Sequence, residues 1–231
     1  MKGYFISFEG LEGAGKSTQA KILNERLIKE GFPCLLTSEP GGTPLGNEIR
    51  QILANNDFKD MSSLTELYLF AASRAQHVSQ VIRPNIEEGS IVLCDRFVDA
   101  TIAYQSYGRG LPENLVRETC SSASWNVRPN LTIYLDIEPS RGLTRVSKRI
   151  QELEIPAHRI EKEQLEFFQK VREGYLSIAR DEPNRVKMLH ADTPVPELAS
   201  KIYNLVSKEL KKIKFKKMLG RDLSFHIPTN E

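Results

Sequence analysis

Cysteine is scarce in this sequence. The three present, Cys34, Cys94 and Cys120, are odd in number and far apart, and none forms a Cys-x-x-Cys pair. That argues against a disulfide framework or a structural zinc site and fits a reducing cytoplasm. Long hydrophobic runs are also missing. No stretch approaches the ~20 apolar residues of a membrane-spanning helix. The start, Met1-Lys2-Gly3-Tyr4, passes straight into a short apolar segment, so no leader is expected. A strong charge of one sign is absent too. The formal balance is +2, so any cationic site must arise from local clustering. There is no internal repeat and no low-complexity tract. What remains is 231 residues with 40% hydrophobic and 27% charged side chains, enough for one globular α/β domain, with or without a small appendage.

The dominant rhythm is a short apolar strand, a loop, and an amphipathic helix. Strands are expected at Tyr4–Phe8, Pro33–Thr37, Ser90–Cys94, Leu131–Leu135 and Val186–His190. Ala20, Ile22, Leu23, Leu27 and Ile28 give Thr18–Glu30 helical spacing, and Gly31 stops it. Alternating strands and helices imply an α/β fold, a five-stranded, mostly parallel sheet sandwiched between helices.

Gly10-Leu11-Glu12-Gly13-Ala14-Gly15-Lys16-Ser17 matches G-x-x-x-x-G-K-[ST] in full, with a strand before it and a helix after it. Such a loop wraps backbone N–H groups around phosphate at the positive end of a helix. Lys16 would reach the β- and γ-phosphates, and the Ser17 hydroxyl would ligate Mg²⁺. The loop indicates nucleoside triphosphate binding without separating kinases from ATPases or GTPases.

Three further clusters narrow the choice. Glu39-Pro40-Gly41-Gly42-Thr43 follows the second strand, at the sheet edge where ligands bind, and Arg50 beyond it could pair with a second phosphate. Asp95-Arg96-Phe97 follows the third strand at the same edge. Asp95 could take Mg²⁺, and Arg96 could bridge two phosphates. Phe70 and Arg74 stand four apart on one helical face, a ring for stacking beside a donor for a base carbonyl. Taken singly, each cluster also fits a plain turn, a structural ion pair, or a core Phe beside a solvated Arg. Ser140 to Glu161, rich in Arg, Lys and Glu and interrupted by Pro156, reads as a mobile, solvated helical lid. It carries Arg141, Arg145, Lys148, Arg149 and Arg159, which either close over a γ-phosphate or simply make surface ion pairs. The chain from 208 to 231 is Lys-rich and reads as a last helix turn with a loose tail, with no nucleic-acid or membrane partner expected.

These motifs, in this order, resemble those of the bacterial thymidylate kinases. The resemblance runs from about Tyr4 to about residue 207. It rests on Phe8-Glu9 with the phosphate loop, on Glu39 to Gly46, on Phe70 to His77, on Asp95-Arg96-Phe97 and on Ala103-Tyr104-Gln105. It implies a single nucleoside monophosphate kinase domain over 1–207 with the P-loop NTPase fold, usually homodimeric. It also implies transfer of a phosphoryl group from ATP to thymidine monophosphate with Mg²⁺.

Carried over, Gly10, Leu11, Glu12, Gly13, Ala14, Gly15, Lys16, Ser17 and Thr18 would hold ATP. Glu39, Pro40, Arg50, Phe70, Arg74, Arg96, Thr101, Tyr104 and Gln105 would hold the monophosphate. Phe70 would stack on thymine, Arg74 would donate to its carbonyl, and Tyr104 would disfavour a ribose 2′-hydroxyl. Ser17, Asp95 and Glu161 would serve the metal.

Some family members carry the catalytic arginine inside the phosphate loop. Here Glu12 stands there, so the chain resembles the type whose lid supplies it. The expected catalytic set is Lys16, Arg96, Arg145, Arg149 and Glu12. Two departures are visible: the lid is longer near Gln151 to Pro156, and His158 replaces the acid of an Asp-Arg-x-Glu pattern at His158-Arg159-Ile160-Glu161. Deoxyuridine monophosphate remains an alternative acceptor, since a pocket rejects a missing methyl by only ~1–3 kcal/mol. A non-enzymatic nucleotide-binding module also remains, for which a second phosphate site would be incidental.

Overall fold

The computed structural model describes residues 3–218, with side chains as far as Lys212. In order it contains β1 (Tyr4–Glu9), α1 (Lys16–Lys29), β2 (Cys34–Ser38), α2 (Pro44–Ala54), α3 (Ser63–His77), α4 (Arg83–Glu87), β3 (Ile91–Asp95), α5 (Val98–Thr101), α6 (Glu113–Ala123), β4 (Leu131–Asp136), α7 (Pro139–Leu153), α8 (Leu165–Asp181), β5 (Val186–His190) and α9 (Val195–Met218). Wide π-type turns at Val78–Ile82 and Ile102–Gly108 extend α3 and α5.

The strands form one parallel sheet in the order β2-β3-β1-β4-β5. β1 and β4 are buried at every position, because crossover helices cover both sheet faces. That is why they read as mostly apolar runs without alternation, with Ser7 and Thr132 bonded to each other at 2.8 Å inside the sheet. The expected strands are all present, but four of the five run one residue further, to Glu9, Ser38, Asp95 and Asp136. The ladder thus carries polar side chains to the edge where the order reverses about β1, the crevice where parallel sheets bind ligands.

Local chemistry sets the helix starts. Thr43 accepts the Gly46 N–H at 3.0 Å with Pro44 at the first helical position, which starts α2. Ser62 accepts the Thr65 N–H at 3.1 Å and starts α3. α1 starts at Lys16, ahead of the expected Thr18, so the lysine of the phosphate loop sits in the first helical turn.

Two expectations change. The boundary expected at 207/208 falls inside α9, and Leu210 is buried in the core. The side chains of Lys214, Lys216 and Lys217, and the whole of 219–231, lie outside the described residues. The expected lid is not solvated throughout either. Gly142 and Val146 of α7 are buried, and so is Arg159 beyond it.

Candidate active site

A cavity of about 670 Å³ opens at the carboxyl edge of the sheet. Glu12, Gly13 and Gly15 to Thr18 of the phosphate loop, Glu39-Pro40, Arg50, Phe70, Arg74, Asp95-Arg96, Thr101, Tyr104, Gln105, Arg145, Arg149 and Glu161 all line it, while Leu11 and Ala14 are buried behind the loop. The clusters read separately along the chain therefore meet in one place.

The loop takes its shape from tight packing. Gly13 has φ 75, and a Cβ there would run into the Gly142 carbonyl of α7. A Cβ at Gly142 would in turn meet the Glu12 carbonyl at 2.6 Å. The lid helix thus starts directly behind the phosphate loop, a close approach that only glycine allows on both sides. Lys16 donates to the Leu11 carbonyl at 2.7 Å across the loop. Burial and the nearby Arg96 charge draw its ammonium down to about 8, against the pull of Asp95, Glu12 and Glu9. A lowered lysine loses its charge as pH rises through that value. The kcat/KM for the triphosphate, which reports the free enzyme, is therefore expected to fall above about pH 8. A profile flat to pH 10 would contradict this.

Glu12 joins the two halves of the cavity. Its Oε1 accepts from Arg96 Nη2 at 2.7 Å, and its Oε2 accepts from the Tyr104 hydroxyl at 2.6 Å. Burial works to raise its carboxyl, but Arg96, Lys16 and the Tyr104 hydroxyl outweigh that and hold it below the usual carboxylate range. Arg96 also donates to Tyr104 at 3.2 Å and to Tyr175 at 3.3 Å. Its backbone, at φ 71, turns sharply after β3 and donates to the Phe8 carbonyl at 2.9 Å.

Glu9, one residue before the loop, had no assigned role in the sequence. It is fully buried, and it accepts the Phe97 N–H at 2.7 Å and the Tyr175 hydroxyl at 3.1 Å, fastening the Arg96 turn. Burial, aided by Asp99, pushes its carboxyl up to about 8 against the pull of Arg96 and these two donors.

On the far wall, Arg74 is buried, so the alternative of a solvated arginine is overturned. It donates from Nε to Glu39 at 2.8 Å, from Nη2 to Thr101 at 2.8 Å and the Phe97 carbonyl at 3.2 Å, and from Nη1 to Cys120 Sγ at 3.5 Å. An arginine has five N–H donors, so one on Nη1 is left for a ligand. His77 backs the same Glu39 at 2.9 Å. Phe70, one helical turn before Arg74, is half-buried at the cavity wall. Arg50 is exposed and donates to the Pro40 carbonyl at 3.1 Å. Tyr104 and Gln105 sit on the π-type turn, whose wider winding is common at functional sites and leaves no mark in the apolar pattern.

The lid arginines separate by partner. Arg145 donates to the Gly13 and Ala191 carbonyls at 3.2 Å each and to Asp192 at 3.0 Å. It braces the phosphate loop against the turn after β5, and Arg141 binds the same Asp192. Arg149 is half-exposed and pairs with Glu161 at 2.6 Å. Arg159, grouped in the sequence with the solvated lid arginines, instead lies buried against Glu66 and donates to the Leu53 carbonyl at 3.2 Å. A buried carboxylate 93 residues away supplies its counter-charge, which local sequence does not reveal.

The metal expectation divides in the same way. The Ser17 hydroxyl donates to Asp95 Oδ2, bringing two hard oxygen donors together beside the loop. That set suits Mg²⁺, which takes one or two protein oxygens and completes its shell with phosphate and water. Among the described residues no group of three or more His, Cys, Asp or Glu could hold a metal. Glu161, the third residue expected to serve the metal, lines the same cavity, where one of its oxygens accepts from Arg149 and the other from the His158 N–H at 2.8 Å.

Comparison with known proteins gives a consistent result. A protein-family model described as thymidylate kinase matches residues 8–202. A thymidylate kinase of Syntrophotalea carbinolica is 47% identical over 208 residues, covering 90% of this chain and 96% of that one. One from Symbiobacterium thermophilum is 45% identical, covering 89% and 94%. The crystal structure of thymidylate kinase from Ehrlichia chaffeensis superposes with a TM-score of 0.72 at 29% identity, covering 89% of this chain and all of that one. The chain belongs to the thymidylate kinase family.

Proposed function

We infer that the enzyme transfers the γ-phosphoryl group of ATP to thymidine monophosphate, giving thymidine diphosphate for dTTP synthesis and DNA replication. The observation that carries the division of the site is the Glu12 bridge. A side chain of the triphosphate loop holds, through Arg96 and Tyr104, the wall that faces the second phosphate site.

Residues Gly10 to Thr18 hold the donor, with Lys16 on its terminal phosphates. Arg50 and Arg96 hold the acceptor phosphate, Phe70 stacks on the base, and the spare Nη1 hydrogen of Arg74 meets a base carbonyl. Thr101, Tyr104 and Gln105 close the sugar and base pocket. An acceptor phosphate oxygen attacks the γ-phosphorus in line as the bond to the bridging oxygen breaks. The attacking oxygen is already anionic, so no strong base is needed, and catalysis comes from positioning and charge neutralisation. Arg149 supplies charge from the lid, while Arg145 steadies the loop. Ser17 and Asp95 would hold Mg²⁺, which would supply positive charge to offset that of the donor phosphates.

The face of α3 and α6 carrying Tyr68, Ala72 and Ser122 is exposed and largely small or apolar, and we assign it to the homodimer contact. No described helix is long and apolar enough to cross a membrane, and the three free thiols suit the reducing cytoplasm proposed as its location.

An ADP-release assay with ATP, Mg²⁺ and each nucleoside monophosphate tests the substrate assignment. Thymidine monophosphate should give the highest kcat/KM, and preference for another base would overturn it. In the same assay Asp95→Ala is expected to raise the Mg²⁺ concentration for half-maximal rate by about tenfold or more. An unchanged Mg²⁺ titration would remove Asp95 from the metal site.

A further inference from the structure

Glu66, one helical turn before Phe70 on α3, is 1% exposed, and four donors converge on its carboxylate. Gln105 Nε2 reaches Oε1 at 2.8 Å, and Arg109 reaches Oε1 from Nε at 3.0 Å and Oε2 from Nη2 at 3.1 Å. Arg159 Nη2 completes the set at Oε2. Burial tends to raise the Glu66 carboxyl, but Arg109, with Arg159 and Gln105, holds it below the usual range. At neutral pH it is an anion that can only accept hydrogen bonds.

A glutamine amide can turn either end toward a partner: the NH₂ donates and the carbonyl accepts. Against a group that only accepts, one orientation survives, with Nε2 on Glu66. The Gln105 Oε1 has no hydrogen-bond partner among the described residues, and Gln105 lines the cavity.

We infer that Glu66 is a positioning residue that sets base selectivity. It locks the Gln105 amide with its carbonyl oxygen toward the acceptor cavity. That matches a base with an N–H at ring position 3, thymine or uracil, and mismatches cytosine, whose N3 is itself an acceptor. The lock rests on the reading of Gln105 as a base-pocket residue. It is shared with the foot of the lid, because the same carboxylate holds Arg159, whose N–H donates to the Ala54 carbonyl at 3.1 Å.

The test compares full-length wild type with Glu66→Gln, in which the new amide can donate to Gln105 Oε1 and allow it to flip. Thymidine, deoxyuridine and deoxycytidine monophosphates are read as substrates. Any turned over too slowly is read by its inhibition constant against thymidine monophosphate. The preference for thymidine over deoxycytidine monophosphate is expected to fall about tenfold, the worth of one hydrogen bond. The preference over deoxyuridine monophosphate should hold, because uracil offers the same N–H. A merely structural role would lower activity on all three together, and that result, or an unchanged deoxycytidine ratio, overturns the proposal.

If Glu66→Gln does not fold, Glu66→Asp keeps the charge for Arg109 and Arg159 while drawing the acceptor back from Gln105. The same selective change is expected on a smaller scale, and its absence overturns the proposal. Gln105→Leu separates the two levels. Base ratios insensitive to it would remove Gln105 from the base pocket, whereas ratios sensitive to it but not to either Glu66 variant would remove only the lock.

Discussion

Replacing Arg96 by Ala is expected to lower kcat/KM for thymidine monophosphate by about 10³-fold or more, with losses in both kcat and KM. In the proposed arrangement Arg96 is the cation between the two phosphate sites, and Glu12 and Tyr104 of the cavity wall, with the buried Tyr175 behind them, hold its guanidinium. Its aim is fixed before substrate arrives, so little reorganisation is needed during transfer. The substitution also strips the Glu12 carboxylate of its ion-pair partner, and an acid held down by Arg96 first becomes easier to protonate. Arg96→Lys should recover little, because an ammonium is a point charge and cannot fork between Glu12, Tyr104 and a phosphate. Steady-state kinetics beside thermal unfolding check this. A variant that folds normally and keeps KM for thymidine monophosphate would place Arg96 away from the acceptor.

Much of this site is legible in the sequence, and the reasons are physical. β1 and β3 announce themselves because a parallel strand covered on both faces is mostly apolar along its length. The phosphate loop is legible because its glycines answer local backbone demands. Glu9, Glu66 and Arg159 are not legible in that way. Each is a charged residue whose burial depends on partners far along the chain: Glu9 on Tyr175, Glu66 on Gln105 and Arg109, Arg159 on Glu66. A partial signal existed for Glu66. It stands four before Phe70 and eight before Arg74, so the three share one face of α3, the face that meets the cavity wall. The lid shows the opposite limit. Arg141, Arg145, Arg149 and Arg159 look alike as a run of cations, and only their partners divide them. Two bind Asp192, one lies buried on Glu66, and one stays half-exposed on Glu161 at the cavity.

That division makes Arg149 the lid residue whose loss should strike the chemistry alone. With Glu12 in the phosphate loop and bound to Arg96, the loop itself contributes no arginine to the transferring group. Any arginine that adds to the charge of Lys16 in the transition state must therefore come from outside the loop, and an arginine supplied in this way is worth about 10³-fold or more in kcat. We propose Arg149 for this role. Its ion-pair partner among the described residues, Glu161, also accepts from the His158 N–H, a contact that does not involve the guanidinium. Arg145 is tied to Gly13, Ala191 and Asp192, so its loss should disturb donor binding as well.

The most direct measurement is the kcat of Arg149→Ala beside its KM for thymidine monophosphate, with ATP saturating. The expected result is a kcat lower by about 10³-fold with KM within about twofold of wild type. A kcat near wild type, or equal losses in binding and turnover, would contradict a lid arginine acting on the transferring phosphoryl group.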